Sequence, residues 1–278
     1  MSKIILPKLI ATSVVRGSQQ GESHGGVFTI DFELQEGCQQ VDWNTGEIEW
    51  AGRGADRGLR GITFYEDRIL IAASDELFFY DQEFSICSSY KNRYLKHCHE
   101  IARFQDRIFL TSTGFDSLLS FNLIEQEFDW GAHLQKPYGK WSIHSFDPRI
   151  NNGPRPVNDF HLNMVHVDNS GIYLSGLKTR NMLHLGNNLE LTEVCSLPSG
   201  THNAMPWRGG VLFNDTAADC VRYVNRDSIE KAFKIKKYEE SEILFSGIDD
   251  SRIARQAFGR GLCTIDNRFV AAGSSPST

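Results

Sequence analysis

Short apolar runs recur along the chain, and each one follows a cluster of turn-forming residues. Five of these runs match one another and cover 68–74, 107–113, 171–177, 210–216 and 268–274. Each is seven residues long and carries the β-branched and other apolar side chains that favour a strand. The pattern therefore predicts a chain built almost entirely of short strands.

Only one segment has near-helical spacing of apolar residues. It covers 228–241, with the sequence SIEKAFKIKKYEES, in which apolar and polar residues mix at roughly helical intervals. We expect a helix there.

The residues upstream of the five runs align as well. In every case a short strand, a turn rich in Asp, Asn or Gly and a second strand follow one another, which is typical of an antiparallel hairpin. The aligned segments are RGITFYEDRILIAAS, HEIARFQDRIFLTST, LNMVHVDNSGIYLSG, HNAMPWRGGVLFNDT and RGLCTIDNRFVAAGS. The sequence thus predicts one hairpin repeated five times.

The repeat spacing predicts a β-propeller. Equivalent positions are Gly61, Glu100, Asn163, Asn203 and Gly261, which lie 39, 63, 40 and 58 residues apart. Further strand-like runs follow each hairpin, so that four strands occur in each period of about 40 to 50 residues, as in a propeller blade. The two long intervals indicate insertions at about 131–157 and 225–254.

The two ends of the chain decide the number of blades. The stretch 8–50 looks like the second, third and fourth strands of a further blade, and the chain stops after the two strands of its last hairpin. Closing the ring removes exposed sheet edges, so the ends of a propeller usually share a blade. A single domain over 1–278 with six blades is expected, and five blades is the alternative.

The alignment also collects polar residues at one place in the fold. The first strand of a propeller blade lies nearest the central axis, and its first residues surround one mouth of the channel. The residues at this position form a predicted ring of eight side chains: Arg60, His99, Glu100, His161, Asn163, His202, Asn203 and Arg260. Burying so many ionisable groups together is costly unless they bind something.

These residue types suggest a metal site. Imidazole favours a transition metal over calcium, so His99, His161 and His202 are the predicted ligands of a divalent metal ion of unknown identity. Glu100, with His99 and His202, is a predicted catalytic residue, and it is expected to act as a general base or as a fourth metal ligand. One condition applies, because His99 and Glu100 point to opposite faces of a regular strand. Both reach the channel only if the backbone begins the strand irregularly.

The remaining ring members are predicted to bind substrate. Guanidinium groups hold a carboxylate or phosphate in bidentate fashion, so Arg60 and Arg260 are the predicted anchors of a small anionic molecule. Asn163 and Asn203 are expected to orient it. For each single residue the alternative is structural, since polar residues at inner-strand starts also satisfy buried backbone groups or channel waters.

Composition and charge exclude several classes of protein. The chain has 29 Lys and Arg against 35 Asp and Glu and no long basic tract, so nucleic acid is not an expected partner. No run approaches the roughly 18 to 20 apolar residues that span a bilayer, and a cytoplasmic location is expected.

The six cysteines contain no Cys-x-x-Cys pair, and buried thiols are the expectation. No Gly-x-Ser-x-Gly occurs, so serine hydrolase chemistry lacks support.

Four of the aligned segments resemble the blade-opening motifs of an uncharacterised bacterial family of six-bladed propellers. That family carries patterns such as His-Asp-Leu, His-Leu-Asn-Gly, Pro-His-Ser-Pro and Arg-Gly-Leu, and the distant resemblance covers roughly 95–274. The chain departs from it at Glu100, Met164 and Asn203, where the family tends to have Asp, Gly and Ser. The resemblance implies the fold and the ring positions of His99, His161, His202 and Arg260, and no activity.

A looser resemblance joins Glu100, Asn163 and Asn203 to the Glu/Asn shell of gluconolactonase-like and strictosidine-synthase-like propellers. These proteins use a metal or an acidic residue at the channel mouth, and the similarity is one of fold.

Two functions follow as hypotheses. The first is a metal-dependent small-molecule enzyme of hydrolase, lactonase, lyase or epimerase type that acts on an anionic substrate. The alternative is a non-catalytic propeller that serves as a binding platform for a protein or a glycan. Four aromatic residues near the mouth are expected to serve either as walls of a substrate site or as an interaction patch: Tyr138, Trp141, Phe146 and Trp207.

Overall fold

The computed structural model describes residues 6–15, 22–43, 58–225, 230–239 and 256–274. These residues form six antiparallel sheets, which we name A to F in chain order. Sheet A contains β1 (Leu9–Val14), β2 (Gly25–Asp31) and β3 (Glu36–Asp42). Sheet B contains β4 (Ile62–Tyr65), β5 (Arg68–Ala73), β6 (Glu76–Tyr80) and β7 (Ile86–Lys91). Sheet C contains β8 (Ile101–Phe104), β9 (Arg107–Ser112), β10 (Ser117–Asn122), β11 (Glu127–Gln135) and β12 (Ser142–Phe146).

The second half of the chain repeats the arrangement. Sheet D contains β13 (Leu162–Asp168), β14 (Gly171–Gly176), β15 (Asn181–Leu185) and β16 (Leu191–Ser196). Sheet E contains β17 (Thr201–Trp207), β18 (Gly210–Asp215), β19 (Cys220–Asn225) and β20 (Glu230–Lys234). Sheet F contains β21 (Gly259–Thr264) and β22 (Val270–Ser274). Two 3₁₀ turns, Thr113–Phe115 and Pro137–Gly139, interrupt sheet C.

The sheets form a β-propeller, as the repeat predicts. All five aligned segments are antiparallel hairpins, namely β4–β5, β8–β9, β13–β14, β17–β18 and β21–β22. The first strands of consecutive sheets contact one another in the order β4, β8, β13, β17 and β21, which places them around a common axis. Five of the six sheets have three strands or more. Five blades are therefore detected, which the alternative count allowed, and six blades are not confirmed.

Apolar side chains fill the space between neighbouring sheets. One cluster joins sheets B and C through Leu70, Leu77, Ile108 and Leu110, all of which are fully buried. Similar clusters lie between A and B, between C and D, and between D and E. Burying one such side chain is worth about 1.5–3 kcal/mol. The sheets are thus held together by the apolar side chains on their faces.

Two predicted features need correction. The segment 230–234 is not helical, because it forms β20, the outer strand of sheet E, which pairs with β19. Hydrogen bonding to the free edge of β19 overrides a weak helical preference. Positions 228–229 and 240–241 lie outside the described residues. The insertion predicted at 131–157 belongs partly to sheet C, since 131–135 continue β11 and 142–146 form a fifth strand. In the insertion predicted at 225–254, 230–234 are likewise a blade strand.

Among the residues described, no helix has the length and apolar composition needed to cross a membrane.

Candidate functional site

The inner strands of sheets D, E and F begin with a β-bulge. Register shifts fall between Leu162 and Met164 in D and between Arg260 and Leu262 in F, and the pairing of β17 is interrupted after His202 in E. Asn203 and Gly261 have φ values of 53° and 72°. This left-handed region favours Gly and, among other residues, Asn. A bulge re-aims side chains next to a site, so neighbouring residues here need not point to opposite faces.

In sheet C the strand begins one residue after the predicted pair. β8 starts at Ile101, so His99 and Glu100 precede the regular alternation. The hydroxyl of Thr111 accepts hydrogen bonds from the backbone N–H groups of both residues, at 3.1 Å and 3.0 Å. The irregular backbone that the sequence required for this pair is therefore present.

Contacts between the strand starts draw several of the predicted residues together. Asn203 Nδ2 in sheet E donates to Glu100 Oε2 in sheet C at 3.0 Å, across the intervening sheet D. The rings of His99 and His161 pack edge to face with centroids 5.1 Å apart. Gly61 lies against the backbone of Glu100, and a Cβ at Gly61 would stand only 2.9 Å from the Glu100 Cα. Starts from B, C, D and E thus meet near the axis.

Glu100 is the carboxylic acid of this group. Removal from water raises the pKa of its carboxyl to about 7, against the opposing effects of hydrogen bonds from the Ile101 N–H and the Asn203 side chain. Among the described residues no Lys or Arg forms an ion pair with it. Glu100 therefore sits near the midpoint of its titration at neutral pH, which suits a group that gives and takes protons.

Asn203 is fixed by its own partners. Its Oδ1 accepts from Asn214 Nδ2 at 3.1 Å and from the Gly261 N–H at 3.1 Å. Both donors require an oxygen at that position, so the Nδ2 group is the one that faces Glu100. The carboxamide is thereby held as a permanent donor to the carboxylate.

His99 is held in one orientation. Its Nδ1 lies 2.7 Å from the His97 carbonyl oxygen and 2.9 Å from Thr113 Oγ1. Because a carbonyl only accepts, Nδ1 carries the proton, and the neutral ring keeps Nε2 as an acceptor. Burial lowers the pKa of His99 well below its usual range, and the charges of Arg60 and Arg260 act in the same direction. Both arginines therefore lie within electrostatic reach of this ring.

His161 belongs to a segment that a buried aspartate holds. Asp116 is fully buried, and its carboxyl accepts hydrogen bonds from the backbone N–H groups of Asp159, Phe160 (2.9 Å) and Leu162 (3.3 Å). The Thr113 hydroxyl also donates to the Leu162 carbonyl. His161 itself has φ of 55°. Asp116 thus positions the turn that places His161 beside His99.

His202 repeats the setting of His99 in sheet E. Its Nδ1 lies 3.1 Å from the Gly200 carbonyl oxygen and 3.4 Å from Thr216 Oγ1. The ring is buried, with its centroid 6.1 Å from that of Phe258. Arg260 also lies over the Phe258 ring, with Cζ 4.7 Å from its centroid.

Asn163 is buried without full satisfaction of its amide. Only 3% of its surface is exposed, its Nδ2 reaches the Thr201 carbonyl at 3.5 Å, and its Oδ1 has no hydrogen-bond partner among the described residues. A buried acceptor of this kind costs about 1–3 kcal/mol, unless a water or ligand supplies a donor.

The metal prediction has no geometric support in this part of the chain. No group of three or more His, Cys, Asp or Glu side chains is arranged to hold a metal ion among the described residues. His99 and His161 meet edge to face, which is a packing contact between rings. Metal ligation by His99, His161 and His202 stays a prediction.

The predicted aromatic residues are spread over different parts of the fold. Trp141 packs on Phe160 and donates from Nε1 to Glu193 at 2.8 Å. Phe146 packs against the core between sheets B and C. Trp207 lies at the far end of β17 from His202. Tyr138 is fully exposed.

Sequence reasoning missed four residues that position the site: Thr113, Asp116, Asn214 and Thr216. Three of them carry a signal in the repeat. Thr113 and Thr216 both occupy the last column of the aligned hairpins, and Asn214 occupies the same column as Thr111. Reading the ends of the second strands together with the starts of the first would have found them. Asp116 lies outside the repeat and carries no such signal.

Solved structures similar to this chain are β-propellers with different roles. A catalytically inactive histidine-to-alanine variant of virginiamycin B lyase from Staphylococcus aureus, solved with quinupristin, has a TM-score of 0.53 and 9% identity over 98% of this chain and 97% of that chain. A protein of unknown function from Bacteroides caccae has a TM-score of 0.51 and 12% identity over 86% and 74%. A chain of a mitotic checkpoint complex has a TM-score of 0.54 and 6% identity over 96% and 82%.

These similarities show the fold and leave the activity open, because one propeller supports unrelated functions. No protein-family model matches the chain, and no curated protein matches it in sequence. The resemblance to the bacterial six-bladed family therefore stays a prediction, and what the comparisons support is a distant structural similarity to β-propeller proteins.

Proposed function

We propose that the channel mouth is the active site of an enzyme that moves a proton on a small anionic substrate, with Glu100 as the general base. The observation that carries this proposal is the carboxyl of Glu100, which is held among protein atoms by an amide donor and without a neutralising cation among the described residues. Burying a carboxyl in this way costs free energy, which a purely structural role does not explain. Carboxyls with strongly raised pKa values cluster at functional sites.

The neighbouring residues supply the other parts of the reaction. Arg60 and Arg260 hold the carboxylate or phosphate of the substrate in this proposal, which is supported by the electrostatic effect of both arginines on the His99 ring. Held in this way, the substrate presents the hydrogen on the carbon next to its anionic group to Glu100. The Nε2 lone pair of His99 accepts a hydrogen bond from a substrate hydroxyl.

Elimination is the reaction that uses this set most directly. Glu100 takes the proton as the C–H bond breaks, the electron pair forms a C=C bond, and the bond to the leaving oxygen breaks. The protonated Glu100 then returns the proton to that oxygen or to bulk water. Virginiamycin B lyase shares the fold, and this analogy favours a lyase over a hydrolase or an epimerase.

The proposal is tested by hydrogen exchange. Small carboxylates with a hydrogen on the α or β carbon, including 2-hydroxy acids and uronates, are incubated with the protein in D₂O, and ¹H NMR follows loss of that hydrogen and formation of product. We expect Glu100→Gln to slow exchange or turnover about 10²–10⁴-fold. Glu125→Gln, an exposed carboxyl outside the mouth, is the matched control and should leave the rate unchanged.

Binding of the same carboxylates provides a second measurement. They should raise the Tm of the wild-type protein and of Glu100→Gln, and Arg260→Gln should weaken that effect. Equal rates in the wild-type protein and Glu100→Gln, or equal Tm shifts in Arg260→Gln, would show that the site works in another way.

The alternative is a binding platform without catalysis. It is favoured by the tip of sheet C, where Tyr138 is fully exposed beside Lys136 and Lys140, and by the similar fold in a chain of a mitotic checkpoint complex. An exposed Tyr is a frequent anchor of protein interfaces. A protein or glycan that binds the wild type and Glu100→Gln equally, and Tyr138→Ser at least tenfold more weakly, would support the platform.

A further inference from the structure

A cavity of about 390 Å³ lies beside the channel mouth, between the end of β11 and the segment that returns from β12. Leu134, Val157 and Phe160 contribute apolar surface to its wall. The N–H of Val157 donates to the Gly114 carbonyl at 3.0 Å, which ties the returning segment to sheet C. The volume lies within the range of about 300–1,000 Å³ that is usual for small-molecule sites.

The charged residues of this wall differ in how they are engaged. Asp116 already accepts three backbone hydrogen bonds. Lys136 and Arg155 form no ion pair among the described residues, and Lys136 only stacks its Nζ at 4.2 Å from the centre of the Trp141 ring. Asp159 is the one carboxylate of the wall without a hydrogen bond to its side chain in this part of the chain. The wall thus carries two cations and two carboxylates, and of the two carboxylates only Asp116 has its hydrogen-bonding capacity engaged in this part of the chain.

The wall also offers a hydrogen-bonding group. His133 Nδ1 lies 2.9 Å from the Phe115 carbonyl oxygen and donates to it. Gln135 adds an amide. An apolar floor with two cations that form no ion pair among the described residues is a composition that suits a small organic anion with an apolar body.

We propose that this cavity is a second binding site, which takes a small organic anion with an apolar body. Its carboxylate, sulfonate or phosphate pairs with Lys136 and Arg155, and its body packs on Leu134, Val157 and Phe160. The site is separate from proton transfer at Glu100. It is adjacent to the mouth, since Asp116 and Phe160 belong both to its wall and to the contact that holds the turn before His161.

The test uses a pair of fluorescent probes that differ in charge. 8-Anilinonaphthalene-1-sulfonate is an apolar anion, and N-phenyl-1-naphthylamine has the same rings without the sulfonate. We expect the folded protein to bind one equivalent of the anion and to bind the neutral probe at least tenfold more weakly. The double variant Lys136→Gln/Arg155→Gln should weaken binding of the anion about tenfold, because both charge-assisted contacts are lost.

Matched variants separate this site from the rest of the protein. Lys140→Gln removes a charge from the same segment outside the cavity wall and should leave the Kd unchanged. Glu100→Gln should leave it unchanged too, so failure of the proposed activity and failure of this site are distinguishable. Val157→Trp fills the cavity and should abolish binding, with the Tm as a check on folding.

Two results would overturn the proposal. One is equal affinity for the charged and the neutral probe, which would mean adsorption to apolar surface. The other is an unchanged Kd in Lys136→Gln/Arg155→Gln, which would place the anion elsewhere.

Discussion

Sheets C and E begin their inner strands with the same construction and end with different chemistry. In each, a histidine Nδ1 contacts the carbonyl oxygen two residues earlier and the hydroxyl of the threonine fourteen residues later, as His99 does with Thr113 and His202 with Thr216. The residue after the histidine is Glu100 in one sheet and Asn203 in the other. These two side chains meet at 3.0 Å.

The two sheets share one backbone arrangement at the start of the inner strand, and the side chain that follows the histidine decides the chemistry at that position. A carboxamide at this position stays neutral and acts as a donor. At the same position in sheet C, burial raises the pKa of the Glu100 carboxyl to about 7, so this group can exchange a proton. The hydrogen bond forms because Asn203 donates and Glu100 accepts. Substitutions that put the same kind of group at both positions therefore test it.

The largest effect is expected when both positions carry a carboxylate. In Asn203→Asp the backbone is preserved, because Asp tolerates positive φ about as well as Asn, and one oxygen still accepts from Asn214 and Gly261. The other oxygen replaces the donor that faced Glu100. We expect the free energy of unfolding to fall by about 3–5 kcal/mol at pH 8, where the folded pair must either carry two adjacent negative charges or hold a proton that the unfolded chain releases. The loss should be much smaller at pH 5, where Glu100 is protonated and can donate.

Chemical denaturation of four proteins checks this expectation: wild type, Asn203→Asp, Glu100→Gln and the double variant Glu100→Gln/Asn203→Asp. The double variant exchanges the carboxylate and the carboxamide, so a donor again faces an acceptor and most of the stability should return. Additive effects of the two substitutions would show that Glu100 and Asn203 do not interact in solution.

A smaller effect is expected when both positions are neutral. The folded pKa of Glu100, about 7, lies above its ordinary value of 4.5, so the folded state favours the protonated form. Its stabilising contribution is complete below pH 4.5 and is lost as the pH rises to about 7. The loss amounts to about 3 kcal/mol. Glu100→Gln should not show this pH-dependent loss, so the variant should gain stability relative to wild type between pH 4.5 and 7.

Titration of His99 does not hide this difference. Its lowered pKa makes stability fall as the pH drops below about 6.5, and that dependence is common to the wild type and Glu100→Gln. Unfolding curves at half-unit steps from pH 4 to 9 give the difference directly. Parallel stability profiles for the two proteins would mean that Glu100 is hydrated and has an ordinary pKa.

Much of the fold was predictable because it depends on local patterns. Turn residues and strand-forming runs are written within each 15-residue hairpin, and all five hairpins form as expected. The prediction of a helix over 228–241 was wrong for 230–234, because an edge strand gains its hydrogen bonds from a neighbour that local spacing does not show. The blade count depends on how distant segments close the ring, which no local pattern encodes.

The candidate site was predictable as a set of positions and not as a set of contacts. The alignment collected the eight ring residues, yet the bond between Glu100 and Asn203 joins residues 103 apart, and its geometry follows from bulges that the residue pattern does not specify. Asp116 acts through its carboxyl on the backbone of 159–162. Such a role depends on the path of the chain and leaves no mark in a repeat.

The smallest effect is expected from the threonines that support the two histidines. Thr113 Oγ1 donates to the Leu162 carbonyl and so joins sheets C and D, whereas Thr216 Oγ1 donates to the Gly200 carbonyl just before its own sheet E. Replacing either by Val removes the hydroxyl at nearly constant shape and should cost about 1 kcal/mol of stability.

Thr113→Val should cost more than Thr216→Val, because it also frees the segment that holds His161. It should shift the His99 and His161 imidazole signals in ¹H–¹⁵N NMR spectra together. Thr216→Val should shift only those of His202. If both variants change the same signals, or if Thr216→Val is the more destabilising, the Thr113 and Thr216 hydroxyls do not act independently on the residues of the channel mouth.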